Sequence, residues 1–256
     1  MAYLSECNTR PEKQWKISVA MAYYNGGAYI EEQIRSILCQ LGEEDELIVS
    51  VDAAKDGSEG LLRQMAENDR RIHLVKGPGK GVVRNFEHAI RSCHGDVIFL
   101  SDQDDIWLDN KVEIIRRVFQ NKEVTAVVHD ALIVDQNGKP TGEKSLFTLR
   151  HACKGRWKNF IRNSYTGCCM AFRKELIPLI CPIPEKMYMH DYWIGMVAES
   201  VGQVCFLKEP MIYYRRHSSN VTQMTHGNLR FMLTKRIDIL KCLAVLKKRI
   251  KQYKKK

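Results

Sequence analysis

No stretch of the sequence approaches the roughly 20 consecutive apolar residues that a helix needs to cross a bilayer. The N-terminus is polar before any apolar run begins, which is not typical of a secretory signal. The nine cysteines include no Cys-x-x-Cys pair, and an odd number cannot all pair internally. This argues against a zinc ribbon and a disulfide framework, and we expect a protein of the reducing cytoplasm. We interpret the adjacent Cys168 and Cys169 as small buried residues.

Apolar residues make up 45% and charged residues 27% of the 256 residues, which is typical of a globular protein. Short strands alternate with helical patterns, which predicts an α/β fold with a mostly parallel central sheet flanked by helices. We divide the chain into an arm at 1–14, one domain with halves at 15–136 and 137–226, and a basic helical extension at 227–256. The net charge of +10 calls for an anionic partner.

Three carboxylates follow the strand predicted at 96–101, namely Asp102, Asp104 and Asp105. Side chains two apart on an extended chain point the same way, so Asp102 and Asp104 can face one point. Carboxylates this close repel one another, and a divalent cation with oxygen ligands relieves that repulsion. In alternating α/β chains, ligands bind beyond the carboxyl ends of the strands, where this cluster lies. The alternative is an acidic loop in which Asp109 caps the next helix.

Several short motifs occur in a specific order. They are Tyr24-Asn25-Gly26, Val51-Asp52, Gly81 with Arg84-Asn85, Asp102-Gln103-Asp104-Asp105, Thr166-Gly167, His190-Asp191-Tyr192-Trp193 and His217-x-x-Asn220. Their order and spacing resemble the family 2 inverting glycosyltransferases, which have the GT-A fold, an α/β nucleotide-diphospho-sugar transferase fold. The residues in these motifs are most similar to those of bacterial enzymes that build surface polysaccharides, some of them rhamnosyltransferases. The resemblance covers roughly 15–222.

The resemblance implies how the first half would bind a nucleotide-sugar. Tyr24 and Asp52 match family residues that contact the base, and Arg84 is a cation for the donor at a helix N-terminus, which favours anions. Without the resemblance, Tyr24 packs locally, Asp52 caps a turn, and Arg84 pairs with Glu87. The chain departs from the family in having Ala53-Ala54 where Gly-Ser is common, so the ribose contacts stay open.

The resemblance also implies a metal site. Asp104, with Asp102 or Asp105, would hold Mg²⁺ or Mn²⁺ against the diphosphate, and His217 matches a late histidine that approaches the metal or pyrophosphate. The cation would stabilise the leaving nucleoside diphosphate as a Lewis acid. The alternative for His217 is a solvated loop residue.

Asp191 is the predicted general base of an inverting transfer, in which a carboxylate removes the proton of the attacking acceptor hydroxyl. It is also a candidate helix N-cap, and both roles can hold together. His190 would lower the pKa of Asp191 if protonated, or orient it if neutral. Gly167 is predicted to line the acceptor side or the floor beneath the donor sugar. Trp193 is a candidate for stacking on an acceptor sugar, with the core as its alternative.

The chain becomes strongly basic from Asn228 onward. Leu233, Ile237, Leu240 and Ala244 form a helical stripe among many lysines and arginines. A basic amphipathic helix is typical of a membrane-surface element, which predicts a peripheral position at the inner face of the plasma membrane. The alternative is that the stripe packs on the domain or on a second subunit in a homodimer.

The sequence therefore predicts a metal-dependent, inverting glycosyltransferase that moves a sugar from a UDP- or dTDP-sugar to a glycan or lipid-linked acceptor. One alternative is a sugar nucleotidyltransferase, but the loop at 23–27 lacks the cations of that class. Another is a basic nucleic-acid-binding protein. We expect no nucleic-acid partner, because the charge collects in the extension and no recognition motif is present.

Overall fold

The structure is a computed structural model that describes residues 15–52, 56–217 and 229–255. The predicted arm at 1–14, the Ala53-Ala54 pair and the end of the His217-x-x-Asn220 motif lie outside these residues. The described part is built around one mixed sheet of eight strands. The strands are β1 (Ile17–Tyr23), β2 (Glu46–Val51), β3 (Ile72–Lys76), β4 (Val97–Ser101), β5 (Ile106–Trp107), β6 (Val124–Val134), β7 (Met170–Arg173) and β8 (Gln203–Arg215).

The strand order in the sheet is β3-β2-β1-β4-β7-β6-β8-β5. Within the described chain, β5 and β7 run against the other six strands, so the prediction of a mostly parallel sheet is confirmed. β1 lies between β2 and β4 and pairs parallel with both, with Ala20 opposite Ile48 on one side and Leu100 on the other. Nearly all of β1 is buried, which explains why its sequence is continuously apolar rather than alternating.

Helices connect and cover these strands. They are α1 (Ile30–Leu38), α2 (Glu59–Asn68), α3 (Val82–Arg91), α4 (Lys111–Val118), α5 (Leu146–Arg150), α6 (Arg156–Ile161), α7 (Ile177–Ile180), α8 (His190–Val201) and α9 (Leu229–Tyr253). In α3, Phe86, Ala89 and Ile90 recur at helical spacing and are buried. That face packs against β1 and β2, while α8 packs against β6 and β8. The α/β fold class predicted from the alternation is therefore confirmed.

Three local expectations for the second half differ from the structure. The sequence predicts two strands, at 203–207 and 211–215, but segment 203–215 is one strand, because β8 stays paired with β6 through a register shift near Pro210. The sequence also predicts a strand over 167–172, but Gly167–Cys169 form a 3-10 turn in which the Cys169 amide donates to the Thr166 carbonyl, so β7 begins only at Met170. Asp191 lies in the first turn of α8 after the N-cap Met189, and is therefore not the cap itself.

The basic extension forms α9, which packs on the domain. Ile239, Cys242 and Leu246 are buried, and Arg249 donates to the carbonyl oxygens of Leu179, Ile180 and Pro182. Of the stripe singled out in the sequence, Ile237 and Leu240 face outward and are about half exposed. Among the described helices, none is both long and apolar enough to cross a membrane.

Candidate active site

The candidate site is formed where β1, β2 and β4 end along one edge of the sheet. The loop after β4 is held by Gln33 of α1, whose side-chain amide donates to the Ser101 hydroxyl at 2.6 Å and to the Asp102 carbonyl at 3.0 Å. Gln103 pairs with the backbone of Tyr24 in both directions, at 2.7 and 2.9 Å. The tyrosine loop after β1 and the carboxylate loop after β4 are therefore tied together.

One half-buried carboxyl group, one buried carboxyl group and a buried thiol converge in this loop region. One ligand atom from each of Asp102, Asp105 and Cys168 lies within 4.8 Å of the other two. Burial first, and then the charge of Asp104, raises the pKa of Asp102 to about 7 and that of Asp105 well above its usual value. The Asp105 Oδ1 accepts the Arg215 amide, whereas the buried Oδ2 has no hydrogen-bond partner among the described residues. Such a site disfavours bare negative charge and fits a divalent cation.

Asp104 faces the late histidine predicted to join it. The Nε2 of His217 lies 2.7 Å from the Asp104 Oδ2, and the imidazole stacks on Tyr29 with ring centroids 5.0 Å apart. Both side chains are mostly covered, so His217 is not the solvated loop residue of the alternative interpretation. A carboxylate–imidazole pair thus adjoins the buried cluster.

Arg215 fastens this loop and was not singled out in the sequence. Its Nε donates to the Asp104 carbonyl at 2.8 Å, and Nη1 to the Gln136 carbonyl at 3.0 Å. Nη2 pairs with Glu32 of α1 at 2.6 Å, while the guanidinium lies 4.8 Å from the Tyr29 ring centre. The last residue of β8 therefore positions the carboxylate loop of the first half. Its sequence context, a strand end followed by a second arginine, carries no signal of that role.

Lys111 is a second residue that the sequence did not reveal. It is fully buried at the start of α4, where its Nζ donates to the Cys168 carbonyl at 3.2 Å and lies 3.8 Å from the Trp107 ring centre. Burial lowers its pKa to about 8, while the acidic groups of Asp105 and Asp102 raise it. The lysine thus places a positive charge within electrostatic reach of the carboxylate cluster.

Asp191 approaches the same cluster from α8. It is 5% exposed, and its carboxylate accepts the amides of Gly167 at 3.2 Å and Tyr192 at 2.6 Å. Burial raises its pKa to about 6, and its charge in turn raises the pKa of Asp102. Arg150 lowers the pKa of both aspartates. A buried proton acceptor with a pKa near neutrality therefore lies within electrostatic reach of the carboxylate loop.

Arg150 is the third residue that the sequence missed. It ends α5, inside the irregular segment between β6 and β7, and its Nη1 donates to the Thr166 hydroxyl at 2.8 Å. That bond holds the guanidinium beside the loop that carries Gly167. A lone arginine in an irregular segment offers no pattern by which to find it.

The remaining acceptor-side predictions have mixed outcomes. His190 is buried and its pKa falls to about 3, so it is neutral rather than protonated. Its ring stacks on Phe86 with centroids 3.8 Å apart, and neither ring nitrogen has a hydrogen-bond partner among the described residues. A Cβ at Gly167 would lie 2.8 Å from its Nε2, so only glycine fits there without a shift. Trp193 is fully buried and donates to the Ile180 carbonyl, which places it in the core and not against a sugar.

The donor-side residues lie along the same edge. The ring of Tyr24 is 55% exposed, whereas Asp52 is buried and accepts the Gly79 amide at 2.7 Å. Arg84 makes the contacts of the alternative interpretation, since it pairs with Glu87 and donates to the Ile183 carbonyl at 2.7 Å. Tyr24 thus offers an open face, Asp52 shapes the glycine loop, and a donor role for Arg84 stays a prediction.

Comparison with known proteins identifies the relatives of this arrangement. An uncharacterized glycosyltransferase of Nostoc sp. is 28% identical over 214 residues, which cover 80% of this chain and 66% of that protein. The dTDP-rhamnosyl transferase RfbG of Shigella flexneri is 24% identical over 216 residues, 78% of this chain and 72% of that one. The chain thus spans just under two thirds of the Nostoc relative.

The fold is also found among solved structures. Residues 1–349 of TarS from S. aureus, in complex with UDP-GlcNAc, superpose with a TM-score of 0.64 at 14% identity. The match covers 86% of this chain and 66% of that one. It confirms the predicted GT-A fold.

Residues 18–179 match the family described as Glycosyl transferase family 2. The matched segment runs from β1 through the carboxylate loop and the 3-10 turn that contains Gly167, and it ends in α7. It includes more than half of the chain. The chain therefore belongs to glycosyl transferase family 2 and has the GT-A fold.

Proposed function

We propose that the protein is an inverting, metal-dependent glycosyltransferase that moves a sugar from a UDP- or dTDP-sugar to a glycan or lipid-linked acceptor in surface polysaccharide synthesis. One observation carries the proposal: Asp191 of α8 is buried within electrostatic reach of the carboxylate loop after β4. Donor activation and removal of the acceptor proton require two such groups, one on the leaving-group side of the anomeric carbon and one on the acceptor side. Family membership argues against the two alternatives, a sugar nucleotidyltransferase and a nucleic-acid-binding protein.

The donor assignment is supported by the relatives and by the open edge of the sheet. RfbG is named a dTDP-rhamnosyl transferase, and TarS is described with UDP-GlcNAc. Uracil and thymine share the same imide edge, so one base site serves both nucleotides. The exposed ring of Tyr24 supplies a stacking surface beside Asp52.

The metal proposal is supported by the charges at the cluster. Asp102 and Asp105, which cluster with Cys168, would hold Mg²⁺ or Mn²⁺ together with the adjoining Asp104 and its neighbour His217. The unpartnered, buried Asp105 Oδ2 fits such a cation, because hard divalent cations prefer carboxylate oxygen. When bound, the cation supplies Lewis-acid stabilisation of the leaving nucleoside diphosphate.

Asp191 is the proposed base. Its carboxylate takes the proton of the acceptor hydroxyl, whose oxygen attacks the anomeric carbon while the bond to the diphosphate oxygen breaks. One displacement of this kind inverts the configuration. The Gly167 and Tyr192 amides hold the carboxylate in place, and its raised pKa strengthens it as a proton acceptor.

The test is a titration of the protein with UDP, dTDP and GDP, each with and without Mn²⁺, followed by a panel of nucleotide-sugars assayed for metal-dependent hydrolysis. We expect UDP or dTDP to bind more tightly with Mn²⁺ and at least one sugar donor to be hydrolysed. An oligonucleotide titrated at several salt concentrations is the control. Binding of the oligonucleotide without either nucleotide would contradict the proposal.

A further inference from the structure

Large apolar side chains are exposed on two helices outside the site. Trp157 and Ile161 of α6 are 73% and 71% exposed, and Ile237 and Leu240 of α9 are 52% and 53% exposed. Apolar groups of this size are usually covered in a soluble protein unless they meet a partner. The glycosyl-transfer chemistry uses none of these four side chains.

The two helices are joined to each other. The Arg236 guanidinium donates to the carbonyl oxygens of Phe160 and Ile161, and it lies 5.4 Å from the Phe160 ring centre. Ile239 and Leu246 hold the opposite side of α9 against the domain. The exposed residues of α6 and α9 therefore belong to adjacent, fixed elements, which we call the α6–α9 face.

The α6–α9 face is also basic. Exposed cations surround the apolar side chains, namely Arg156, Lys158, Arg162, Lys241, Lys247, Lys248 and Lys251. At about 3.6 residues per turn, Lys241 and Lys248 fall on the side of α9 that carries Ile237. The acid of α9, Asp238, lies 3.9 Å from both Lys186 and Lys241. The face therefore presents apolar groups within a field of positive charge.

We propose that the α6–α9 face docks on the surface of an anionic lipid bilayer, with Trp157, Ile161, Ile237 and Leu240 in the headgroup region. Apolar side chains interleaved with lysine and arginine match such a surface in both polarity and charge. A second copy of the chain fits less well, because a two-fold interface would set these cations against themselves. The inference deepens the proposed function, on which it rests for its purpose: it would hold the site near a lipid-linked acceptor.

The experiment is co-sedimentation of the full chain with vesicles of phosphatidylcholine alone and of phosphatidylcholine mixed with phosphatidylglycerol. We expect binding to the mixed vesicles only, reduced at high salt. The double variant Trp157→Ala/Ile237→Ser and the double variant Lys241→Glu/Lys248→Glu should each lower the bound fraction at least about tenfold. The matched control is Leu132→Ser, another exposed apolar residue, which should bind as the unaltered chain does.

Tryptophan fluorescence gives a second readout that does not depend on the variants. Trp15, Trp107 and Trp193 are buried, so Trp157 is the tryptophan open to a soluble quencher. Acrylamide quenching should fall when mixed vesicles are added. The proposal is overturned if quenching is unchanged, if both double variants sediment like the unaltered chain, or if the face instead mediates a dimer or binds an oligonucleotide. Nucleotide binding with Mn²⁺ is measured on the same samples, so a failure here is distinct from a failure of the transferase proposal.

Discussion

The two halves of the domain hold their functional side chains in different ways. In the first half, Tyr24, Asp52 and the carboxylate loop each follow a strand, and parallel pairing brings the ends of β1, β2 and β4 to one edge. In the second half, Asp191 begins a helix, and its carboxylate is held by a backbone amide of a distant 3-10 turn. The first arrangement follows from topology, whereas the second follows from particular tertiary contacts.

Replacing the proposed base is the strongest test of this difference between the two halves. Asp191→Asn keeps the size of the side chain but removes its ability to accept a proton, so transfer should fall by about 10²- to 10⁴-fold. Affinity for nucleotide with Mn²⁺ should stay nearly unchanged, because Asp191 is not among the proposed donor and metal residues. Steady-state transfer rates and a nucleotide titration measure the two effects.

The matched control is Glu199→Gln, the same acid-to-amide change further along α8. Glu199 accepts the Gly155 amide at 3.1 Å and lies on the far turn of the helix. It should retain most of the transfer activity. Near-native turnover of Asp191→Asn would mean that another residue takes the proton.

The next largest effect is expected from a change in the carboxylate loop of the first half. Asp104→Ala removes a carboxylate beside the cluster and the partner of His217, so Mn²⁺-supported binding of UDP or dTDP should weaken by about 10- to 100-fold. Binding without metal should change little. The control is Asp109→Ala, an exposed aspartate after the same loop. Equal losses with and without metal would show that Asp104 acts on the nucleotide or the fold instead.

The sequence was sufficient for the first half because its signals are local. Buried parallel strands are continuous apolar runs, and polar residues after them mark the edge where ligands bind. Arg150, Lys111 and Arg215 escaped prediction because each acts on residues far along the chain. The direction in which Ile237 faces was left open for a similar reason. Helical periodicity finds an apolar stripe, but only the packing of α9 shows which of two stripes is buried.

Arg215 lies in the second half but bonds to residues of the first half. Its replacement should have a smaller effect than Asp191→Asn or Asp104→Ala. Arg215→Lys keeps the charge but cannot reproduce the bonds to the Asp104 and Gln136 carbonyls together. We expect the free energy of unfolding to fall by about 2–3 kcal/mol, measured by urea denaturation. Metal-supported nucleotide binding should weaken as the loop loosens.

The control for Arg215→Lys is Glu32→Gln, which removes only the ion pair to α1. Glu32 is 58% exposed, so this change should cost less than about 1 kcal/mol. If both variants have the same stability, the buried bonds to the carboxylate loop do not stabilise the fold as inferred.

The smallest predicted effect concerns pH. Asp191 must be ionised to accept a proton, and its pKa is raised to about 6, so kcat/KM for the acceptor should rise as the pH increases through about 6. Saturating donor and metal keep the titration of Asp102 out of this profile. Arg150→Met removes a positive charge that favours the ionised carboxylate, so the rising limb should move to higher pH, by less than about one unit.

Arg162→Met, an exposed arginine on the neighbouring segment, is the control for the same loss of charge. Its profile should overlay that of the unaltered enzyme. If the rising limb of the pH profile does not move in Arg150→Met, the guanidinium holds Thr166 without changing the pKa of Asp191. The second half would then position its base through backbone amides alone, and the contrast with the strand-end chemistry of the first half would be sharper still.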